Sequence, residues 1–280
     1  MKLKLSAGAV AFAFAAAAPV HAAVLTSTSG LAAELEFNVV DGNASAAVPA
    51  PSSYTLDTQL SISQFTTDLA SAISTGTTSH GTDASGNLIV EQFNASPTFT
   101  TWLGGRSAAD VPNIFWNLQA MGVVGTQTTA VQTVAPGATP NNATNATIKG
   151  FVLPSDTYLS ALNTLPGYPG GSPGGESVTT PANGNAYNYL GNNDGTKYAF
   201  SDSAGLGQSM SFNQYQTNGI LTNTLGTHSI FGAAQNGVWT LTSTGMLDFT
   251  IAAVPEADTW MLMGLGLLGT VVMVRRRASV

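Results

Sequence analysis

The apolar positions of this chain fall in short runs that mostly alternate with polar ones. Leu35, Phe37 and Val39 alternate with Glu34, Glu36 and Asn38, and Asp41-Gly42-Asn43 then supplies a turn. A period of two over such a length is the mark of a half-buried strand with Glu34 and Glu36 on its outer face. Asn113–Val124 places Ile114, Trp116, Leu118 and Ala120 on one face and Phe115, Asn117 and Gln119 on the other, so it reads as a central strand. Leu88, Val90 and Phe93 suggest a strand after the turn Asp83–Asn87. Tyr198 and Phe200, then Met210 and Phe212, suggest more. Val238–Thr242, the turn Ser243-Thr244-Gly245, and the alternating Leu247, Phe249 and Ile251 make a hairpin. Helical spacing occurs twice. Gln64–Ser74 lines up Phe65, Leu69, Ala72 and Ile73. Ser155 is placed to cap a helix that runs to Asn163 with Tyr158, Leu159 and Leu162 inward. Pro97–Leu103 is a strand or a turn. The fold class expected is all-β, a β-sandwich-like body with one or two short helices.

Two stretches interrupt the pattern. Residues 125–147 lack Leu, Ile and aromatics and carry Pro136 and Pro140, which reads as a loop or linker, although Val131 and Val134 can form one short strand. Residues 165–185 contain LPGYPGGSPGG and read as loop.

Composition narrows the function classes. Between residues 23 and 253 only Arg106, Lys149 and Lys197 are basic against thirteen acids, a net charge near −10. So acidic a body is a poor partner for nucleic acid, which is bound through basic patches. The chain has no cysteine, so disulfides, thiol nucleophiles and thiolate metal sites are excluded.

The two ends carry sorting information. Lys2 and Lys4, then the uncharged Leu5–Ala18, then Val20-His21-Ala22, have the order of a secretory signal peptide over residues 1–22, cut by signal peptidase after Ala22 or Ala23. The exported body is then 23–253. Residues 254–280 hold Val254-Pro255-Glu256, an uncharged run over 259–274 opened by Trp260 within its first two positions, and the block Arg275, Arg276, Arg277. An apolar run closed by arginines reads as a transmembrane helix with its basic end in the cytoplasm. The stretch from Trp260 to Val274 makes a helix of roughly 22 Å, short against a hydrocarbon core of about 30 Å. Gly264, Gly266 and Gly269 spell GxGxxG, but no acidic residue lies about 20 positions beyond, so a dinucleotide site is not supported.

Those tail residues resemble the PEP-CTERM sorting domain of exopolysaccharide-producing Gram-negative bacteria. Val254, Pro255, Glu256, Trp260, the Gly264–Leu267 core and Arg275 to Arg277 match its order and spacing, while Ala257 stands where the family most often has a second proline. The resemblance implies export through the inner membrane and transient anchoring. It further implies cleavage by exosortase, a membrane protease, near Pro255-Glu256, and release to the envelope or exterior. It covers about a tenth of the chain and implies a route rather than an activity.

Candidate chemistry in the body is sparse. His80 and His228 lie in Ser/Thr/Gly contexts, no GxSxG elbow occurs, and HExxH is absent. Asn192–Gly195 and Asp83–Asn87 are oxygen-rich turns able to ligate calcium, though turn chemistry alone explains them. Among the glutamates, Glu34, Glu36, Glu91 and Glu176 are candidates for a hydrolytic pair, and no spacing singles two of them out. Tyr158, Tyr168, Tyr187 and Tyr189 can stack on sugar rings or pack the Pro-Gly loop onto the sheet. The expectation is a non-enzymatic envelope or matrix protein associated with exopolysaccharide or biofilm, with no cofactor. The alternatives are a carbohydrate-active hydrolase, or a calcium- or carbohydrate-binding adhesin, delivered by the same route.

Overall fold

The computed structural model describes residues 27–41, 52–106, 111–135, 143–165, 168, 175–186 and 204–253. Its strands are β1 (Glu34–Asp41), β2 (Ser53–Ser61), β3 (Leu88–Phe93), β4 (Ile114–Val124), β5 (Gln127–Val134), β6 (Glu176–Thr179), β7 (Ala204–Gly205), β8 (Ser209–Gln216), β9 (Thr227–Ile230), β10 (Val238–Leu241) and β11 (Leu247–Ile251). Its helices are α1 (Ile62–Thr75), α2 (Pro97–Gly104), α3 (Asn145–Gly150) and α4 (Val152–Leu162). The body is all-β in class.

Among the described residues every strand pairing is antiparallel and the eleven strands join one sheet, in the order β3-β11-β10-β8-β5-β4-β1-β2-β6, with β7 beside β4 and β9 beside β8. The sandwich-like expectation is corrected in this respect: the layers that face each other are two parts of one curled sheet. The curl is visible where Phe93 and Leu247, near one end of the strand order, line a small void with Phe37, Tyr54 and Leu56 from near the other. One hydrophobic cluster fills the inside, with Leu35, Phe37 and Val39 from β1, Trp116 and Leu118 from β4, Phe212 from β8, Trp239 from β10 and Phe249 from β11.

The helix α1 plugs this interior. Ser61 caps it by accepting from the Gln64 N–H at 3.1 Å, and its buried stripe is Ile62, Phe65, Leu69 and Ala72. The periodicity of Gln64–Ser74 anticipates this helix. Pro97–Leu103 resolves as α2, with Ser96 as N-cap, Pro97 in the first turn and Phe99 and Trp102 buried. Proline at a helix start and an Ser cap before it were the available signal.

Helices α3 and α4 cover parts of the outer face. Ile148 of α3 and the adjoining Phe151 pack on Met121, Ala130 and Tyr215 of β4, β5 and β8. The helix α4 begins before Ser155, which lies buried inside it and whose N–H is bonded to the Phe151 carbonyl at 3.0 Å, so Ser155 is not the cap. Tyr158, Leu159 and Leu162 do face inward, with Tyr168.

The linker expected over 125–147 is corrected most. Gln127–Val134 is β5, buried at all but its first residue and held between β4 and β8. Gly125, at a φ of 59°, opens the two-residue turn that folds β5 back on β4, the position where such hairpins need a left-handed residue. The short strand allowed at Val131 and Val134 lies within β5, and its full length did not show because its other residues are threonines, glutamines and alanine, whose β preference shows only against neighbouring strands. Part of 165–185 is likewise ordered, as β6 and a 3₁₀ turn at Pro181–Ala186. Gly122 is required by close approach: a Cβ there would lie 2.1 Å from the Gly30 carbonyl oxygen.

One ion pair ties α2 to β1. Arg106 Nη1 donates to Asp41 Oδ2 at 2.8 Å with both side chains buried. Its guanidinium lies 4.7 Å from the centre of the Trp102 ring, and Trp102 Nε1 donates to Ser52 Oγ at 2.9 Å. Removing one member of a buried pair strands the other charge. Arg106→Leu should therefore lower the unfolding free energy by about 3 kcal/mol in urea titration.

Candidate functional site

The polar groups that the structure brings together in an open cleft lie between α1 and β3. Asp68 and Ser71 come from α1, Glu91 from β3, and Thr75, Thr77, Thr78, Ser79 and His80 from the end of α1 and the segment that follows it. The cleft encloses about 510 Å³, within the range of small-ligand pockets. Glu91 reaches it because β3 carries a bulge. Its register against β11 runs Thr250 to Ile89 and then Phe249 to Glu91, so Val90 is one residue extra. Such bulges re-aim side chains, and here Glu91 turns towards Asp68.

Glu91 and Asp68 are hydrogen-bonded to each other. Gln64 Nε2 donates to both Asp68 oxygens, at 2.9 and 2.8 Å. Burial first, then the hydrogen bond and the charge of Asp68, push the Glu91 carboxyl up to about 8. At neutral pH it therefore keeps its proton, the usual result when two carboxyls share one site. The arrangement can donate and accept hydrogen bonds at once, and the surrounding hydroxyls add more of both.

A second polar cluster is closed. Glu36 and Asp57 are directly opposite in the β1–β2 register, and both are buried. Burial and then the neighbouring Asp57 raise Glu36 well above the ordinary carboxyl value, partly offset by Tyr168, whose hydroxyl donates to Glu36 Oε1 at 3.3 Å. Burial raises Asp57 to about 7, offset by the Gln59 N–H and reinforced by Glu34. Next to them the Tyr158 hydroxyl lies 2.7 Å from Thr55 Oγ1 and donates to Asn38 Oδ1 at 2.9 Å. Glu36 is thus not solvent-facing as the alternation of β1 implied, because α4 and Tyr168 cover that face. The same contacts bury Tyr158 and Tyr168, which are not available to stack on sugars. Tyr187 and Tyr189 lie outside the described residues.

The remaining candidates are dispersed. His80 sits exposed at the cleft. His228 stacks on Tyr215 at 4.8 Å and its Nε2 lies 2.8 Å from Asn213 Oδ1, with burial lowering its pKa. Asp83 accepts from the Ser85 N–H and the Asn87 N–H, each at 2.8 Å, and from Asn87 Nδ2 at 2.9 Å, so its own turn occupies the carboxylate. Among the described residues no three His, Cys, Asp or Glu gather as metal ligands. Asn192–Gly195 lies outside the described residues. Glu176 accepts from Ser96, in a very short contact, and from the Tyr54 hydroxyl at 2.8 Å. It thereby holds α2 against β2 and β6. The alternation that defines β1 and β3 could not reveal either carboxyl pair, since Glu36 meets Asp57 through the register of two strands and Glu91 meets Asp68 through a helix brought over a strand. A glutamate directly after three apolar residues, Leu88-Ile89-Val90, was the one available signal.

The raised carboxyls fix the sign of a pH effect. Unfolded, Glu91 titrates near 4.5, and folded near 8. Between these values the folded state binds more protons, so stability is greatest below the window and falls as pH rises through it. Asp57 acts in the same direction up to about 7. The melting temperature should drop between about pH 5 and pH 8, and Glu91→Gln, which cannot ionise, should flatten part of that drop in thermal scans across this range.

Ala22, Ala23, Val254, Pro255, Glu256, Trp260 and Arg275 to Arg277 lie outside the described residues, as does the segment 259–274. Among the described residues no helix is long and apolar enough to cross a membrane. No curated protein and no solved structure matches the chain. A family model, that of the PEP-CTERM protein-sorting motif, matches residues 253–277. Its match begins two residues after β11 ends, so the chain consists of a folded β-rich body followed by a PEP-CTERM protein-sorting motif.

Proposed function

We propose that this protein is an exported substrate of an exosortase-type protease, delivered to the cell envelope or the extracellular matrix, where it acts without catalysis in association with exopolysaccharide. The observation that carries the reading is the sorting motif at residues 253–277. In this reading signal peptidase removes residues 1–22, and the tail holds the body at the membrane until exosortase cuts near Pro255-Glu256. Proline there biases Val254 towards extended backbone, the form a protease binds. The arginines keep the other end cytoplasmic, because each is costly to drag through hydrocarbon.

The α1–β3 cleft supports binding over hydrolysis. Glycosidases hold their two carboxyls about 5–5.5 Å apart or about 6.5–9.5 Å apart, to admit a nucleophilic attack or a water. Glu91 is instead held above the ordinary carboxyl value by burial and by Asp68 beside it, with no arrangement that singles out a nucleophile or a water site. The two side-chain carboxyls and a rim of hydroxyls suit the donors and acceptors of a sugar. This reading expects that Glu91→Ala with Asp68→Ala weakens retention of the protein on exopolysaccharide from the producing cells. Release of reducing sugar by the wild type would establish the hydrolase instead.

The route has its own test. Wild-type protein should lose the tail and be recovered in the envelope or medium, as intact mass shows. Pro255→Leu, or glutamate at all three of Arg275, Arg276 and Arg277, should leave a full-length, membrane-retained precursor. Wild type that keeps residues 260–274 at steady state would make the segment a permanent anchor.

A further inference from the structure

We propose that the outer edge of β9, with the loop before it, is a self-association surface through which two copies of this chain pair strand to strand. β9 bonds to β8 along one side, Asn213 opposite Ile230 and Gln216 opposite Thr227. Among the described residues no strand pairs with its other side. Its residues, Thr227-His228-Ser229-Ile230, carry no carboxylate, lysine or proline, and three of the four are exposed. An edge of this kind offers unpaired backbone N–H and C=O groups to another strand.

The sheet's end strand β3 shows what protection looks like. There Gly81 and Thr82 fold over the start of the strand, with the Ile89 N–H bonded to the Gly81 carbonyl at 2.9 Å and Thr82 bridging Leu88. The bulge at Val90 and the carboxyl of Glu91 interrupt the rest. At the other end, β6 opens on Glu176 and is followed by the Pro181 turn. Just before β9 a comparable contact exists, the Gly226 N–H bonded to the Ala143 carbonyl at 2.8 Å and Thr144 bridging Leu225, but among the described residues none reaches Thr227–Ile230 itself.

The loop before β9 adds apolar area that is held in place. Ile220 and Leu221 are 75 and 74 % exposed, Leu225 is 49 % and Ile230 36 % exposed. Buried Asn145 fixes this loop: its Nδ2 donates to the Leu221 carbonyl at 2.8 Å and the Asn218 carbonyl at 3.2 Å, and its Oδ1 accepts from the Asn218 N–H at 2.9 Å. The Asn145 and Ala146 N–H groups donate to the carbonyls of Thr224 and Thr222, at 2.8 and 2.9 Å. A pre-ordered apolar tip loses less entropy on association than a floppy one. From Thr217 to Ile230 there is no charged residue, in a chain of net charge −7. Two acidic bodies repel one another over most of their surface, and an uncharged face is where a second copy meets least repulsion. Antiparallel pairing of β9 with its own copy also satisfies two-fold symmetry, since the same edge serves both partners.

The chain has no cysteine, so one introduced thiol reports only contacts between copies. Ser229→Cys places it on the β9 edge, and Ser85→Cys on an exposed turn elsewhere as control. Both are made in the full chain, purified in detergent and treated with a mild oxidant. Pairing through β9 should give disulfide dimers of Ser229→Cys roughly tenfold in excess of Ser85→Cys, by virtue of effective concentration. Adding Ile230→Lys should abolish that excess while circular dichroism shows the fold retained. Association through the tail would cross-link both thiols alike. Equal cross-linking at the two positions, or an excess that survives both Ile230→Lys and Leu221→Glu, overturns the proposal.

Discussion

The structure depends on one aromatic side chain delivered by a helix to the inside of a sheet. Phe65 of α1 meets Phe212 edge-on at 5.1 Å, Phe231 at 5.2 Å and Phe249 at 5.0 Å, and stacks near Trp239 at 5.9 Å. These rings come from β8, β10, β11 and the segment after β9. Aromatic pairs in such geometries add to the energy of burial, and a chain without disulfides has no covalent alternative. Phe99 of α2 does the same at the other end, with Tyr54 at 4.6 Å and Phe37 at 6.1 Å. A single antiparallel sheet can curl closed only if its concave side is filled, and the two helices inserted between β2 and β4 supply the filling.

That arrangement explains what could be read from the sequence. The inner face was legible because its residues are large and alternate: Leu35, Phe37 and Val39, Ile114 to Ala120, and the hairpin of Val238–Leu241 with Leu247–Ile251. Helix α1 was legible for the same reason at a different period. The strand β2 went unread although Tyr54, Leu56 and Leu60 alternate in it, and β5 was read only as one short strand at Val131 and Val134, because Gln127–Val134 is built of Thr, Gln, Ala and Val. The burial of their polar residues comes from neighbours on both sides and from helices above, and no local pattern records that. The carboxyl pairs failed to show for a related reason. Asp57 opposes Glu36 through strand register, and Asp68 meets Glu91 through a bulge.

The outer face follows a different rule from the inner one. Beneath α4 it is lined by Glu36, Asn38, Thr55 and Asp57, all buried. Asn117, also buried, has neither its Nδ2 nor its Oδ1 bonded. Unbonded amides and buried carboxyls under a cover are costly to keep dry. This cover is held by a small apolar group, Tyr158, Leu159, Leu162 and Tyr168, together with the hydroxyls of the two tyrosines and the bonds from Ser27 to Asp156 at 2.9 and 2.5 Å. The inner core and this outer layer therefore have different resistance to opening, with the outer layer the weaker.

β11 has a mechanical consequence for the sorting route. It lies inside the sheet, between β10 and β3, and the Ala252 N–H beyond it is tied to the Gln235 carbonyl at 2.7 Å. The sorting motif begins at the next residue. Any pull exerted through the tail thus enters the body along the axis of a strand clamped on both flanks, where hydrogen bonds must shear together instead of unzipping singly. A cut beyond that clamp would take no strand from the sheet and would leave the described body whole.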